Sequence, residues 1–123
     1  MSWEQVTTAT ERMEVTVDGV VKWNTGMQLL LSDAKWVTVF WDSAERRLGI
    51  RAASAITGVP VIAEPESSEW WIDSGDMLDD AGIVVGSSVE AAPTKWYQAD
   101  ATAPVDPLYG YPYQSIFYVV VPE

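Results

Sequence analysis

The sequence predicts a mainly β protein of the α+β class, with two short helices, folded as a small closed barrel in a single domain (residues 1–123). Short runs of β-branched and aromatic residues alternate with turn residues along the chain, which is typical of strands. Asp18-Gly19 is a strong hairpin signal, and one strand–helix pattern occurs twice. A chain of 123 residues that is 48% hydrophobic can bury one core.

The first half of the chain predicts four strands joined by turns. They fall at residues 13–17, 20–23, 36–41 and 48–52. Asp18-Gly19 joins the first two, because both central positions of a type I′ turn favour residues that accept a positive φ. A short helix follows the second strand, where Asn24 or Thr25 can cap it and apolar residues recur at helical spacing. The polar stretch 42–47 predicts the turn of a hairpin between the last two strands.

The second half repeats this plan. Strands are predicted at residues 60–63, 70–72, 83–85, 95–99 and 115–121. Asp73 or Ser74 is expected to cap a second short helix, which Gly82 ends. The stretch 100–113 is rich in proline, glycine and tyrosine, which is typical of a long loop. The final strand is strongly apolar and is expected to be central in its sheet.

A local repeat relates the two halves at an offset of 49 residues. The segment 23–26 (Trp-Asn-Thr-Gly) matches the segment 72–75 (Ile-Asp-Ser-Gly), and each joins a strand end to a polar cap. The repeat units are about 13–53 and 60–121. Neither half has enough surface to bury its own sheet, so we expect the two to fuse into one closed barrel without exposed sheet edges.

The segment 19–52, GVVKWNTGMQLLLSDAKWVTVFWDSAERRLGIRA, resembles the strand–helix–hairpin unit of the AbrB, MazE and MraZ proteins. Those proteins form swapped-hairpin barrels close to the double-psi β-barrel, so the resemblance implies an AbrB-like or double-psi-like barrel of two fused halves. The same segment is similar to a set of small uncharacterised actinobacterial and phage-type proteins, in which a strand and helix lead to an arginine-containing hairpin.

Positive charge gathers at one place in a chain whose net charge is −11. Arg46, Arg47 and Arg51 lie at or just past the turn of the predicted hairpin. In one interpretation Arg46 and Arg47 are solvated residues of the turn, and in the other the three arginines bind nucleic acid. Residues 1–51 hold six basic and seven acidic side chains, whereas residues 52–123 hold one basic and eleven acidic side chains. The second half is therefore expected to repel phosphate, and the hairpin turn is the favoured interpretation.

DNA binding is the second functional hypothesis, because AbrB-type regulators bind DNA through basic residues on paired barrels. The residues that would serve it here are Lys22, Lys35, Arg46, Arg47 and Arg51. Several phosphate contacts are hard to assemble from so few cations beside a strongly acidic second half. Nucleic acid is therefore the less favoured partner.

Asp73 raises a third hypothesis, a dimeric aspartic-protease-like enzyme. The stretch 70–78, WWIDSGDML, resembles the active-site loop of aspartic proteases in its two apolar residues before Asp-Ser-Gly. That chemistry needs two carboxylates sharing a proton, and a chain this short would take the second from a dimer. Asn24 occupies the equivalent position of the first repeat. Helix capping explains both polar residues, so no catalytic residue is assigned.

The favoured hypothesis is a non-catalytic protein–protein interaction or structural module, such as a subunit or decoration of a phage particle or an acidic inhibitor of a host factor. Aromatic residues outside the core are common interface anchors. The candidates are Trp36, Trp41, Trp70, Tyr109, Tyr111 and Tyr113. The three tyrosines fit equally well a loop that seals one end of the barrel.

The expected partner is another protein or further copies of the same chain, without a small-molecule substrate, metal or cofactor. The chain has no Cys and no His, which removes thiolate ligands and the commonest general base. It has no apolar run long enough to cross a membrane and no signal-peptide pattern at Met1. We therefore expect a cytoplasmic or virion-associated protein.

Overall fold

The computed structural model describes residues 11–31, 33–56, 58–64, 66, 68–97 and 115–123. This part of the chain is mainly β with two short helices, as predicted. The elements in chain order are β1 (Met13–Val15), β2 (Val20–Asn24), α1 (Thr25–Leu30), β3 (Trp36–Asp42), β4 (Arg47–Ala52), β5 (Val59–Pro60), β6 (Ile62–Glu64), β7 (Glu69–Asp73), α2 (Gly75–Asp80), β8 (Val89–Ala91), β9 (Thr94–Tyr97) and β10 (Ser115–Val120). None of the helices in these ranges is long and apolar enough to cross a membrane.

The strands form two antiparallel five-stranded sheets around one core. The first sheet has the order β6-β7-β2-β1-β8, and the second has the order β5-β3-β4-β10-β9. Side chains alternate between the two faces of each strand, and the inward ones, including Ile72, Ile50 and Val119, meet between the sheets. Met27 of α1 and Leu78 of α2 complete this core. Each fully buried aliphatic side chain contributes about 1.5–3 kcal/mol, so the core is the main source of stability.

Polar residues fix the start of each helix. Asn24 Oδ1 accepts a hydrogen bond from the N–H of Met27 at 3.1 Å, as expected of an N-cap. At the second helix, Asp73 Oδ1 accepts a hydrogen bond from the N–H of the first helical residue at 3.2 Å. Ser74 is buried, and its Oγ donates to the carbonyl of Gly19 at 2.7 Å. Ser74 is the N-cap residue of α2 but makes no side-chain capping hydrogen bond, and its hydroxyl instead ties this helix to the turn between β1 and β2.

The turn between β1 and β2 differs from the predicted two-residue type. The N–H of Gly19 donates to the carbonyl of Thr16 at 2.9 Å, and Gly19 takes a φ of +82° while Asp18 does not take a positive φ. This is a β-turn followed by a left-handed glycine, which lengthens the loop and ends β1 at Val15. A Cβ at Gly19 would lie 2.5 Å from the Cα of Gly75, so this turn also needs glycine for the close approach of α2.

The predicted strand at 83–85 is wrong, and the strand in this region is instead Val89–Ala91. Ile83 is buried in the core, but Val84 is exposed and its carbonyl accepts a hydrogen bond from Arg46 rather than from a neighbouring strand. A short apolar run fits a strand and a buried loop equally well, because periodicity alone does not separate them.

The repeated segments form equivalent elements. β2 and β7 begin and end at the offset of 49 residues, and each precedes a short helix. They pair with each other, and the central pair of their ladder places Lys22 opposite its repeat equivalent, Trp71. Each is the second strand of a hairpin, β1–β2 or β6–β7. This part of the fold therefore has a local pseudo-twofold axis between β2 and β7.

Two segments pass from one sheet to the other. Val61 alone separates β5, at an edge of the second sheet, from β6, at an edge of the first. Ala92 and Pro93 separate β8 from β9 in the same way. Pro60 and Pro93 lie at these changes of sheet, where a missing N–H interrupts the ladder. Within the described residues neither sheet is closed, so the closed barrel stays a prediction.

Candidate interaction face

The outer face of the second sheet concentrates aromatic and arginine side chains. Strand alternation places them opposite the core, because their neighbours in each strand point inward. They are Trp36 and Phe40 of β3, Arg47 and Arg51 of β4, Trp96 of β9 and Tyr118 of β10. We call these six residues the aromatic–arginine face. All six are half-buried.

Arg47 is held by contacts on both sides. Asp42 lies directly opposite it in the β3–β4 ladder. The Nε of Arg47 donates to Asp42 Oδ2 at 2.7 Å, and Nη2 donates to the same oxygen. Its guanidinium carbon lies 4.2 Å from the ring centroid of Trp96 and 5.0 Å from that of Tyr118. Its hydrogen bonds to Asp42 hold the pKa of the carboxyl below its usual value and raise the pKa of Arg47.

Tyr118 connects this arginine to the edge of the sheet. Thr94 lies directly opposite Tyr118 in the β9–β10 ladder, and hydrogen bonds from Thr94 and then from Arg47 hold the pKa of the phenol below its usual value. The Tyr118 ring meets the Trp96 ring edge-on, with centroids 6.1 Å apart and planes at 86°. The contacts with Thr94, Arg47 and Trp96 therefore restrict the orientation of the Tyr118 ring.

Gly49 and Ile116 lie beneath the larger side chains of the face. Gly49 lies opposite Phe40 on one side and Tyr118 on the other, and a Cβ at Gly49 would lie 2.3 Å from Ile116 Cγ2. Ile116 is fully buried although it lies outside the main core cluster. The guanidinium carbon of Arg51 lies 4.7 Å from the ring centroid of Phe40. The missing side chain at Gly49 therefore lets larger neighbours pack flat over the sheet.

Arg46 has a different role from the arginines of the face. It lies in the β3–β4 turn with a φ of +54°. Its Nε donates to the carbonyl of Val121 at 3.0 Å, and its Nη2 donates to those of Val84 at 2.6 Å and Pro122 at 3.2 Å. Its guanidinium carbon lies 5.2 Å from the ring centroid of Trp41. The predicted hairpin is confirmed, but the expectation that the arginines at its turn are solvated is wrong.

The outer face of the first sheet is acidic. Alternation points every carboxylate of its strands outward, together with one lysine, one isoleucine, one tryptophan, one valine and one asparagine. We call this set the acidic face: Glu14, Val20, Lys22, Asn24, Ile62, Glu64, Glu69, Trp71, Asp73 and Glu90. Glu14 lies directly opposite Glu90, and Glu64 lies directly opposite Glu69. Arg12 forms an exposed ion pair with Glu90 at 3.3 Å.

The structure separates the tryptophans that the sequence proposed as partner anchors. Trp36 lies on the aromatic–arginine face, whereas Trp41 and Trp70 are half-buried and pack against the core. Trp70 lies opposite the buried Trp23, so the outward member of the adjacent pair is Trp71. The remaining candidates lie outside the described residues: Tyr109, Tyr111 and Tyr113.

The five residues proposed for nucleic-acid binding are not brought together. Lys22 lies on the acidic face, Lys35 is exposed before β3, and Arg46 binds backbone carbonyls. Arg47 and Arg51 share one face, and Arg47 is already paired with a carboxylate. The placement of these residues therefore does not produce a surface for several phosphate contacts.

Asp73 and Asn24 do not form a pair within the chain. Asp73 is exposed and lies opposite Val20, whereas Asn24 lies opposite Glu69 at the other end of the β2–β7 ladder. Four residues of strand separate the two positions by about 13 Å. No group of three or more acidic side chains in the described ranges is arranged to hold a metal ion.

Sequence reasoning missed three residues of the aromatic–arginine face: Phe40, Trp96 and Tyr118. The spacing of four residues between Trp36 and Phe40 already places them on the same side of a strand. No sequence signal brings Trp96 and Tyr118 to Arg47, because that contact depends on the strand order β4-β10-β9.

Comparison with known proteins finds no match: no family model fits the chain, and no curated protein or solved structure is significantly similar to it. The resemblance of the segment 19–52 to AbrB-type proteins therefore remains a prediction.

Proposed function

We propose that this chain is a non-catalytic protein–protein interaction module whose partner binds the aromatic–arginine face. One observation carries the proposal: two tryptophans, a tyrosine, a phenylalanine and two arginines occupy the outward side of one sheet. Tyr, Trp and Arg are the residue types that dominate the energetic centres of interfaces. The core between the sheets is filled by other side chains, so packing of that core does not account for these six.

The organisation of the face also supports binding. Arg47 is fixed by Asp42 and by two rings, and Arg51 lies over Phe40. A partner therefore meets side chains whose rotamer freedom is already reduced, and less entropy is lost on association.

The biological setting proposed for this module is a subunit or decoration of a larger particle, including a phage-borne one, or an acidic inhibitor of a host factor. The net charge of −11 suits both, because it keeps the free protein soluble and attracts cationic partners. DNA binding and dimeric proteolysis are less supported, because the placements of the five cations and of Asp73 do not favour them.

We further propose that the two sheets are the two sides of one closed barrel built from the fused repeats. The support is the pair of segments that pass directly from an edge of one sheet to an edge of the other, at Val61 and at Ala92-Pro93. A barrel of this kind has few free sheet edges, so its outer faces become the main surfaces for partners.

Site-specific photocrosslinking tests the proposed function. Thr38 lies between Trp36 and Phe40 on the outer side of β3, and a photoreactive phenylalanine analogue placed there should form a covalent adduct of defined mass in a lysate of the source cells. The matched control carries the same analogue at the exposed Asp79 of α2, away from the face, and it should form no such adduct.

Charge reversal on the face supplies the second control. Arg51→Glu should abolish the Thr38 adduct, whereas Arg12→Glu, which changes the net charge equally on the other sheet, should leave it unchanged. Equal labelling from Thr38 and Asp79, or an adduct insensitive to Arg51→Glu, would contradict the proposed binding surface. Circular dichroism of each variant confirms that the fold is retained.

A further inference from the structure

We propose that two copies of the chain pair through residues 38–42 of β3, as antiparallel strands related by a twofold axis at Phe40. We call this stretch the β3 edge. The contact joins the second sheets of the two copies into one continuous sheet. It uses the edge of that sheet rather than its outer side, so this inference goes beyond the proposed function and does not depend on it.

The first support is the pairing of β3 on its two sides. β3 pairs with β4 from Val37 to Asp42, but it pairs with β5 only at Trp36 and Val37. Among the described residues, no strand continues this pairing along the β3 edge. Unpaired N–H and C=O groups at an edge are a template for another chain. The β3 edge also contains no lysine or proline, which commonly block such pairing.

The direction of the backbone groups identifies the atoms that this edge offers. The N–H of Ala53 donates to the carbonyl of Trp36 at 2.9 Å, so Trp36 directs its backbone groups toward β4. This direction alternates along a strand in an antiparallel sheet. Val39 and Trp41 therefore direct their N–H and C=O groups to the other side, where a further strand can bind.

One antiparallel register uses all of these groups. It places Val39 of each copy opposite Trp41 of the other, so that each such pair exchanges two hydrogen bonds. Phe40 then lies opposite Phe40. A register centred on Val39 would need the backbone groups of Val37, which already pair with β5. A register centred on Trp41 would pair Val39 with the turn that follows Asp42.

The second support is the set of side chains that this register brings together. Phe40 meets its copy in a non-hydrogen-bonded pair, in which side chains lie closest. Val39 meets Trp41 on the core side of the joined sheet. Aromatic pairs and pairs of an aromatic with a β-branched residue stabilise neighbouring strands. Thr38 lies opposite Asp42, so no like charges face each other across the contact.

The third support is the burial of the inward side chains of β3. Val37 lies where β5 pairs with β3, and it is fully buried. Val39 and Trp41 lie beyond β5 and are only half-buried, although they pack against the core. A second β3 along this edge would cover them as β5 covers Val37, which removes apolar surface from water.

The contact is small, so we expect a weak dimer. A ladder of three residue pairs buries much less than the about 800 Å² per partner of a standard interface, and the expected dissociation constant is on the order of 100 µM. Photolabelling of the chain in a lysate at about 1 µM therefore acts on the monomer. The Thr38 adduct thus reports the foreign partner, and either proposal can fail while the other stands.

Disulfide trapping tests the register, because the sequence has no cysteine. In the proposed dimer the two Cα atoms of residue 40 lie about 4.5 Å apart, within the range of a disulfide. The two Cα atoms of residue 38 lie about 14 Å apart, which is too far. With oxidised glutathione, Phe40→Cys should therefore form a covalent dimer at concentrations above the dissociation constant. The control Thr38→Cys, on the same side of the same strand, should not.

A charge-swap mixture tests the same contact if the cysteine variant folds poorly. Phe40→Lys and Phe40→Glu each place like charges opposite each other at the twofold axis, so each alone should dimerise about 10-fold more weakly in sedimentation velocity. Their equimolar mixture places opposite charges there and should recover a dimer with one copy of each. Leu29→Lys, at an exposed position of α1, is the matched control and should associate like the wild type.

Three results would overturn the inference. A wild type that stays monomeric from about 10 µM to about 1 mM excludes the pairing at the expected strength. Equal disulfide trapping at positions 38 and 40 contradicts the register centred on Phe40. Dimers of Phe40→Lys alone and of Phe40→Glu alone that are as stable as those of their mixture show that the contact lies elsewhere.

Discussion

Substitution of Arg46 tests most directly whether this arginine is structural, in contrast to Arg47 and Arg51 on the aromatic–arginine face. The side chain donates to three backbone carbonyls, those of Val84, Val121 and Pro122. A hydrogen bond contributes about 1 kcal/mol net, and a stacked cation about 0.5 kcal/mol more. Arg46→Ala should therefore lower the free energy of unfolding by about 3 kcal/mol, or the Tm by about 10 °C for a domain of this size.

The backbone of Arg46 gives this prediction an internal control. Its φ of +54° is left-handed, which costs a residue with a Cβ about 1 kcal/mol. Arg46→Gly loses the same three hydrogen bonds but removes this strain, so it should be about 1 kcal/mol more stable than Arg46→Ala. Urea unfolding followed by tryptophan fluorescence measures both differences.

The result that would refute the reasoning is a small effect. If the free energy of unfolding of Arg46→Ala lies within about 0.5 kcal/mol of the wild-type value, the hydrogen bonds of Arg46 to Val84, Val121 and Pro122 do not stabilise the fold. If instead Arg46→Gly abolishes the Thr38 adduct while its fold is retained, Arg46 belongs to the binding surface, and the division between one structural arginine and two surface arginines is wrong.

Two further predictions follow from the face itself. Gly49→Ala should cost about 1–3 kcal/mol in urea unfolding, because the new methyl group meets Ile116 Cγ2 at 2.3 Å; Ile116→Ala in the same chain should recover part of this cost, and strict additivity of the two changes would contradict the contact. The hydrogen bonds from Arg47 lower the pKa of Asp42 in the folded protein, so this pairing stabilises the fold above the usual carboxyl pKa of 3.8. The stabilisation is lost as the pH falls through the lowered pKa of the folded state. The difference in unfolding free energy between wild type and Asp42→Asn should therefore shrink between about pH 5 and about pH 2, and a constant difference would contradict it.

Local patterns in the sequence predicted much of the fold. The run of β-branched and aromatic residues at 36–41 and the polar residues after it predicted the hairpin of β3 and β4. The polar residues at Asn24, and at Asp73 or Ser74, predicted both short helices, and Asn24 and Ser74 are the N-cap residues in the structure. The offset of 49 residues predicted equivalent strands, β2 and β7. These features depend on residues close together in the chain, so sequence reasoning reaches them.

The candidate site was beyond such reasoning, because it depends on which strands become neighbours. Each half contributes strands to both sheets: β2 and β7 lie in the first, and β4 and β10 lie in the second. The imbalance of charge between the two halves of the sequence therefore does not predict which face of the protein carries which charge. Arg47 from the first half meets Trp96 and Tyr118 from the second for the same reason.

The orientation of Trp70 and Trp71 shows a second limit of prediction from the sequence. Adjacent strand residues must point to opposite faces, and the sequence indicates this much. Which of the two points inward depends on the register with β2, where Trp70 lies opposite the buried Trp23. A shift of one residue would exchange the two, and no local pattern fixes that register.

The most direct test of the aromatic–arginine face as the binding surface is the yield of the Thr38 photoadduct in the wild-type background and in Arg51→Glu. Mass spectrometry of the adduct, at matched protein concentration and at low and high salt, gives this yield and the mass of the captured partner. We predict an adduct of one defined mass in the wild-type background and its loss in Arg51→Glu. Equal yields from the two proteins under all of these conditions would contradict the account.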